Sequence, residues 1–337
     1  MTADLLRFGL IGTGRIGRVH AANIAASPQT ELVVVADPVL ASADDVAVRF
    51  GGTTVSDPLA AIDPGRIDAV VIASPTPTHI ELITACIERG VPVLSEKPID
   101  LDMGRIDALR PRVRSASSPV AIGFNQRFDP AIAEVQRRVA SGEIGALEQL
   151  SLTSRDPGPP PAAYIGVSGG IFRDMTIHDF DLARFFAGEI EEVTAVGSTL
   201  FDSGAREHDD FDTVVVTLKA RSGAIVTITN SRHSAYGYDQ RVEAFGGGGL
   251  LNVENVPASH VTASNSAHAA ARGPYIEQFL DRYASAYANE LDAFVELVHH
   301  GASSSPNFED GRAAQVLAEA AHQSARLGRT VRTDEIG

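Results

Sequence analysis

The sequence predicts an α/β chain in two parts: a doubly wound parallel sheet, then an α+β domain built on an open, mainly antiparallel sheet. Three observations carry this. Strongly apolar runs alternate with helical stretches over the first third of the chain, a glycine-rich turn joins the first strand to the first helix, and from about residue 126 the pattern changes to apolar–polar alternation at period two. The 337 residues, 44% hydrophobic and 21% charged, are ample for two cores, so domains are expected at 1–125 and 126–337.

The first element pair is "LLRFGLIGTGRIGRVHAANIAAS", a short apolar strand, a glycine turn and a helix. Gly12, Gly14 and Gly17 fall in the pattern G-x-G-x-x-G. In a dinucleotide-binding turn the first glycine permits the tight bend, the second lets backbone approach a pyrophosphate, and the third lets the helix pack on the strand. The helix N-terminus then offers free N–H groups and a positive dipole end to the anion. A second strand, "ELVVVA" (31–36), ends at Asp37, about 20 residues past the turn, where a ribose-binding acid belongs. A carboxylate there accepts hydrogen bonds from ribose hydroxyls and repels a 2′-phosphate. The next residue is Pro38 rather than arginine, which favours NAD over NADP. The alternative for Asp37 is a plain turn residue.

The alternation continues with "DAVVIAS" (68–74), apolar enough for a strand buried on both faces. "TPTHIELITACIERG" follows, with Thr78 and Glu81 spaced as a capping box. Its Cys86, the one cysteine of the chain, excludes an intramolecular disulfide or a cysteine-based zinc site and reads as a small buried hydrophobe. "VPVLSEKP" (91–98), a charged helical stretch and "VAIGFN" (120–125) complete the first domain. Ligands of doubly wound sheets bind at the carboxyl ends of the strands, and Ser74, Lys97 and Asn125 fall at or just past those ends. Lys97 is either a surface lysine or a donor to a substrate hydroxyl within a proton relay.

In the second part, "GALEQLSLTSRD", "IEEVTAVGSTLF", "DFDTVVVTLKARSGAIVTITNSRHS" and "YDQRVEAFGG" alternate apolar and polar residues, with a hairpin turn at 219–224. One sheet face is thereby covered and the other is available for self-association. "DPGPPP" (156–161) is expected as an ordered extended loop and "FGGGGLLNVEN" (245–255) as a flexible solvent turn. Helices are expected over 275–300 and 308–328.

"GGIFRDMTIHDFDLARFF" (169–186) combines core-seeking bulk with Asp174, His178, Asp179 and Asp181. Burying such groups is costly unless they are paired. If 174–186 is one helix, Asp174 and His178 are four apart on a common stripe, and a carboxylate-oriented histidine can take a proton from an alcohol near neutral pH. The competing readings are a surface Asp–His pair and a metal site; no H-E-x-x-H or comparable cluster supports a metal, and none is expected.

The formal net charge of −15 and the pI near 5.0 argue against a nucleic-acid or anionic-membrane partner. The N-terminus does not read as a signal peptide, since Asp4 and Arg7 break it, and no apolar run approaches the roughly 20 residues of a membrane span. A cytoplasmic protein is expected.

Taken in order, the glycine fingerprint, "ASPTPTH", "SEKP", "GFNQRFDP", "SGGIFRDMTIHDFDLARFF" and "YDQRVEAFG" resemble the glucose–fructose oxidoreductase/inositol dehydrogenase (Gfo/Idh/MocA) family over nearly the whole chain, most closely its inositol 2-dehydrogenase branch. The resemblance implies a Rossmann domain, a C-terminal α+β domain, a homotetramer, and a Lys–Asp–His set carried here by Lys97, Asp174 and His178. It implies NAD-dependent oxidation of a ring secondary alcohol, myo-inositol to 2-keto-inositol. His178 would remove the hydroxyl proton, Asp174 would orient it, and Lys97 would polarise the reacting oxygen. The expected cofactor contacts are Gly12, Gly14, Arg15, Ile16, Gly17, Asp37, Ser74, Thr76, His79, Glu96 and Lys97. Beyond the catalytic set, the expected polyol contacts are Arg127, Asp156, Tyr236 and Tyr283. The chain departs from the branch at "GGGG" (246–249), where a lysine-bearing turn is common, a change expected to alter a subunit contact. The alternatives are a pyranose sugar dehydrogenase on the same scaffold and a dinucleotide-sensing protein without turnover.

Overall fold

Residues 5–301 and 305–337 are described by the computed structural model; Asp4 lies outside them. The chain divides into two compact units, Met1–Phe128 with Ala286–Ala313, and Asp129–Ser285 with Ala314–Gly337. The single division at 125/126 read from the sequence therefore misses a return: the segment 286–313 rejoins the first unit. Its apolar face completes that unit's core, where the Phe294 ring meets Phe8 edge-on at 6.1 Å.

In the first unit, strands β1 (Leu6–Ile11), β2 (Thr30–Ala36), β3 (Thr53–Val55), β4 (Ala69–Ile72), β5 (Val93–Glu96) and β6 (Val120–Gly123) form one sheet in the order β3-β2-β1-β4-β5-β6. Every pairing is parallel. Helices α1 (Arg15–Ala26), α2 (Leu40–Phe50), α3 (His79–Arg89) and α4 (Met103–Ser115) supply the connections. Because such helices cover both faces, the inner strand β4 is apolar and buried throughout, and the end strand β6 is buried as well. Strand order reverses between β1 and β4, the switch point where this architecture binds nucleotides. The capping box proposed at α3 is not formed. Thr78 donates its hydroxyl to Pro75 O at 2.8 Å, because a 3-10 turn at Thr76–Thr78 precedes the helix.

The second unit opens with α5 (Pro130–Ala140), β7 (Leu147–Arg155), α6 (Ala162–Ser168), α7 (Ile171–Asp174), α8 (Thr176–Ala187), β8 (Ile190–Ser198) and α9 (Ser203–Glu207). Then come β9 (Thr213–Ala220), β10 (Ile225–Ser231), β11 (Asp239–Gly246), β12 (Gly249–Val253) and a two-stranded ribbon, β13 (Thr262–Ala263) with β14 (Ala271–Arg272). Helices α10 (Phe279–Arg282), α11 (Ala284–His300) and α12 (Phe308–Leu327) and strand β15 (Val331–Arg332) close the chain. The sheet order is β12-β11-β7-β10-β9-β8-β15, antiparallel except for β7 beside β10. The period-two pattern is visible in the burial of β9, where Val214, Val216 and Leu218 point inward and Val215, Thr217 and Lys219 outward. Helix α8 covers the inner face at β7 and β10.

Three local expectations change. The helix expected over 174–186 is broken at Met175, and α7 and α8 are separate. The stretch 275–300 is likewise two helices, α10 and α11, parted at Tyr283. The glycine run 246–249 is the tight turn of the β11–β12 hairpin rather than a flexible loop. A side chain on Gly246 would lie 2.4 Å from Ala146 O, so backbone packing dictates the residue.

Candidate active site

The glycine turn is built as a phosphate cradle. Gly12 has φ +96°, and a Cβ there would sit 2.6 Å from the backbone of Ala73 and Ser74; one on Gly17 would meet Gly12 O at 2.0 Å. Gly14 differs, for nothing lies within 4 Å of where its Cβ would be. The open space falls at the N-cap of α1, whose first residues, Arg15 and Ile16, present the helix N-terminus. At the end of β2, Asp37 Oδ2 accepts Thr13 N–H at 2.9 Å and the Thr13 hydroxyl at 2.7 Å, while Oδ1 accepts Val39 N–H at 2.9 Å. Burial pushes this carboxyl up, but the bonds from the Thr13 hydroxyl, Val39 N–H and Thr13 N–H outweigh it and hold the group below its ordinary value. An ionised acceptor with lone pairs to spare suits a ribose diol. These features fit a dinucleotide.

Past β4, Ser74 Oγ is 2.6 Å from Thr78 Oγ1, and half-buried Thr76 begins the turn between them. His79 is buried, with Nδ1 2.8 Å from Pro98 O and Nε2 2.8 Å from Ser74 O. Each ring nitrogen faces a backbone carbonyl, the protonated one donating to it, and the ring sits between the turns after β4 and β5. Half-buried Lys97 follows β5 directly. Glu96 Oε1 lies 2.8 Å from His20 Nε2, and with Glu290 these groups bring potential metal-ligand atoms within 4.8 Å of one another, a cluster the sequence reading did not single out. Asn125 is buried at the start of the turn after β6, and Arg127 in that turn pairs with Asp310 at 3.4 Å.

In the second unit, Asp174 ends α7 and His178 lies in the first turn of α8, half-buried between the buried Ile177 and Asp179. Asp174 Oδ1 accepts the Tyr164 hydroxyl at 2.9 Å and Oδ2 accepts Arg232 Nη1 at 3.3 Å. Asp179 is fully enclosed. Its Oδ1 is 2.7 Å from Ser154 Oγ, its Oδ2 accepts Asn230 Nδ2 at 2.7 Å, and burial pushes its carboxyl up to about 7. Ser154 Oγ is also 3.0 Å from Gln240 Oε1, which accepts the Tyr283 hydroxyl at 3.2 Å. Tyr283 is only 1% exposed, so its phenol belongs to this buried network. Tyr236 stands half out of the surface and donates to Asp239 Oδ2 at 2.7 Å, while Asp156 N–H donates to Ser231 O at 3.0 Å. Sequence reasoning missed Arg232, Asp210, Tyr164 and the partners of Asp179. The one signal toward the first three was the Gly169–Gly170 pair before α7, both with positive φ.

Comparison with known proteins agrees with this arrangement. Residues 6–124 match the family model for the oxidoreductase family, NAD-binding Rossmann fold, and residues 132–252 match the GFO/IDH/MocA C-terminal domain. The chain is 43% identical to inositol 2-dehydrogenase of Rhizobium meliloti (strain 1021) over 330 residues, covering 97% of this chain and 98% of that one. Among solved structures it is similar to a myo-inositol dehydrogenase from Corynebacterium glutamicum, with TM-score 0.94 and 49% identity over 97% of this chain and 98% of that one. It also resembles scyllo-inositol dehydrogenase from Lactobacillus casei with bound NAD(H) and scyllo-inositol, with TM-score 0.89 and 29% identity over 98% of this chain and 100% of that one. With the parallel switch-point sheet, the glycine cradle and Asp37 in place, the chain belongs to the Gfo/Idh/MocA family and is an NAD-dependent dehydrogenase.

Proposed function

We propose that this dehydrogenase oxidises a ring secondary alcohol of an inositol, myo-inositol to 2-keto-inositol, with His178 as the general base. The observation that carries the reading is the Asp174 carboxylate, fixed at both oxygens by Tyr164 and Arg232 and followed by half-buried His178 at the head of α8. To this carboxylate we assign the role of orienting the imidazole and stabilising its protonated form, which is what removal of an alcohol proton requires. NAD+ supplies the hydride acceptor. Lys97, just past β5, is assigned to polarising the reacting oxygen, and Gly12, Gly14, Arg15, Ile16, Gly17, Asp37, Ser74, Thr76 and Glu96 to the cofactor. Arg127, Asp156 and Tyr236 are assigned to ring hydroxyls. An inositol carries a hydroxyl on every ring carbon, so its site must be rich in hydrogen-bonding groups.

Absorbance at 340 nm tests the substrate with myo-, scyllo- and chiro-inositol beside glucose, galactose and xylose. The expected result is NAD-linked turnover strongest on myo-inositol. Turnover confined to a pyranose overturns the cyclitol assignment. For the cofactor, Asp37→Ala is expected to narrow the preference for NAD over NADP by about tenfold or more, since a carboxylate that binds the diol and repels a 2′-phosphate is lost. An unchanged ratio of kcat/KM for the two cofactors removes Asp37 from the ribose site.

The outer face of the second sheet is assigned to self-association, as a homotetramer at work in the cytoplasm. Ile225, Gln149, Phe245 and Leu250 stand in register across β10, β7, β11 and β12, and the exposed Val196 and Val215 pair across β8 and β9. Exposed apolar side chains that gather on one sheet face, here on both sides of Gln149, support reading that face as a partner surface. Among the described residues no helix is long and apolar enough to cross a membrane.

A further inference from the structure

A buried arginine is costly unless it is paired, and Arg232, 1% exposed at the end of β10, is divided between two carboxylates. Its Nη1 donates to Asp174 Oδ2 at 3.3 Å and its Nη2 to Asp210 Oδ2 at 3.5 Å. Asp210 in turn accepts Ile171 N–H, the first N–H of α7, at 3.0 and 3.1 Å on its two oxygens. Asp174 is the last residue of that same single-turn helix. The contacts therefore close a ring: Asp210 holds the start of α7, Arg232 holds Asp210 and the acid at the end of α7, and the turn cannot rotate without breaking an ion pair. The ring explains the glycine at 170. Its φ is +84°, and a Cβ there would lie 2.7 Å from Asp210 Oδ1, so any side chain would displace the carboxylate that anchors the ring.

We infer that Arg232 is a positioning residue for the Asp174–His178 pair, and that by sharing one guanidinium between Asp174 and Asp210 it sets how much of the Asp174 charge is available to the imidazole. The inference rests on the proposed role of His178 as base. Its physical content is a charge balance. With Arg232 present, part of the Asp174 charge is neutralised; with Asp210 present, part of the Arg232 charge is drawn off to the other side. Removing the arginine favours imidazolium, and removing the competing Asp210 charge disfavours it.

Several other charged and titratable groups near the ring have partners of their own. Arg173 of α7 pairs with Glu319 of α12, Arg326 of α12 pairs with Asp209, and Tyr164 of α6 donates to Asp174. His208 after α9 lies against Gly166 of α6, and Asp179 of α8 is bonded to Ser154 and Asn230. His322 of α12 is pushed below its ordinary value by burial and then by Arg173.

The test is the acid limb of kcat/KM against pH in Arg232→Gln, Arg232→Lys and Asp210→Asn, with His178→Ala as the marker of whose titration is being read. The expected midpoint moves up by about half a unit or more in Arg232→Gln and down in Asp210→Asn; in Arg232→Lys it stays near the parent value while kcat falls. Shifts of opposite sign from two members of one ring do not arise from structural damage, which lowers kcat and leaves the limb in place. Unmoved midpoints in both neutral variants overturn the inference. If Arg232→Gln does not fold, Asp210→Asn decides alone: a downward shift supports the inference and an unmoved midpoint overturns it. An acid limb that persists in the residual activity of His178→Ala overturns the His178 assignment, and the inference with it. An acid limb lost in His178→Ala but unmoved in the ring variants overturns the inference only.

Discussion

Replacing His178 by alanine is expected to lower kcat on the preferred inositol by about a hundred- to ten-thousand-fold, with the NAD dissociation constant changed by less than about twofold. An alcohol does not release its carbon-bound hydrogen as hydride at useful rates near neutral pH until its hydroxyl proton has somewhere to go. The half-buried imidazole at the head of α8, following a carboxylate locked by Tyr164 and Arg232, is the group assigned to take that proton. The cofactor contacts assigned above, from Gly12 through Asp37 to Glu96, all lie in the first unit, and His178 lies in the second. A base lost from one unit should therefore leave binding in the other untouched. Initial rates at 340 nm and a fluorescence titration of NAD measure the two quantities separately. Rates in the variant should also climb with pH, as hydroxide takes over the lost role. Equal loss of turnover and NAD binding sinks the assignment of base and points to collapse of the fold around α8 instead.

What could be read from the chain and what could not divide along physical lines. The first sheet was legible because its signals are local. Strand, turn and helix succeed one another within about 30 residues, and Gly12 and Gly17 are required by backbone approaches of 2.6 and 2.0 Å that any side chain would violate. The alternation in β9 and β10 was legible for the same reason. The break at Met175 was not, because no proline or glycine marks it between Ile171 and Ala187. The return of 286–313 to the first unit was hidden because an amphipathic helix does not state which core its apolar face joins. Arg232 was hidden most completely. Nothing in "NSRHS" marks it, and its burial depends on Asp174, 58 positions away, and Asp210, 22 away. Those two carboxylates come together with it only in the folded chain. The question posed by acids in a core-seeking segment thus has two answers: Asp174 is paired with a buried arginine, and Asp179 is hydrogen-bonded to Ser154 and Asn230 while burial holds its carboxyl above the ordinary range.

That second acid leads to a stability experiment of comparable size. Asp179 carries a carboxyl raised by burial to about 7, with the nearby Asp156 charge acting in the same direction and the bonds from Ser154 and Asn230 against it. The hydrogen bonds agree with a protonated group. Ser154 has one hydroxyl proton and two acceptors beside it, Asp179 Oδ1 at 2.7 Å and Gln240 Oε1 at 3.0 Å, and both contacts are satisfied when Asp179 donates to Ser154 and Ser154 donates to Gln240. An unfolded aspartate titrates near the ordinary value of 3.8. Between 3.8 and about 7 the folded chain therefore holds a proton that the unfolded chain has released. The stabilisation from this group is complete below the lower value and is lost as pH rises through the upper one, a loss of the order of 4 kcal/mol at most. Asp179→Asn has the shape and hydrogen-bonding pattern of the protonated acid, with its amide donating to Ser154 and its oxygen accepting from Asn230, but it cannot ionise. The variant should exceed the parent in stability, and the gap should widen by about 2–3 kcal/mol between pH 5 and pH 8, read from urea midpoints or melting temperatures. Asp156→Asn should flatten the parent's pH dependence in part, because it removes the like charge. A gap between parent and Asp179→Asn that does not change with pH would mean that the carboxyl is ionised and fully paired in the fold. The buried chain from Asp179 through Ser154 and Gln240 to Tyr283 would then carry one proton fewer than its hydrogen bonds require.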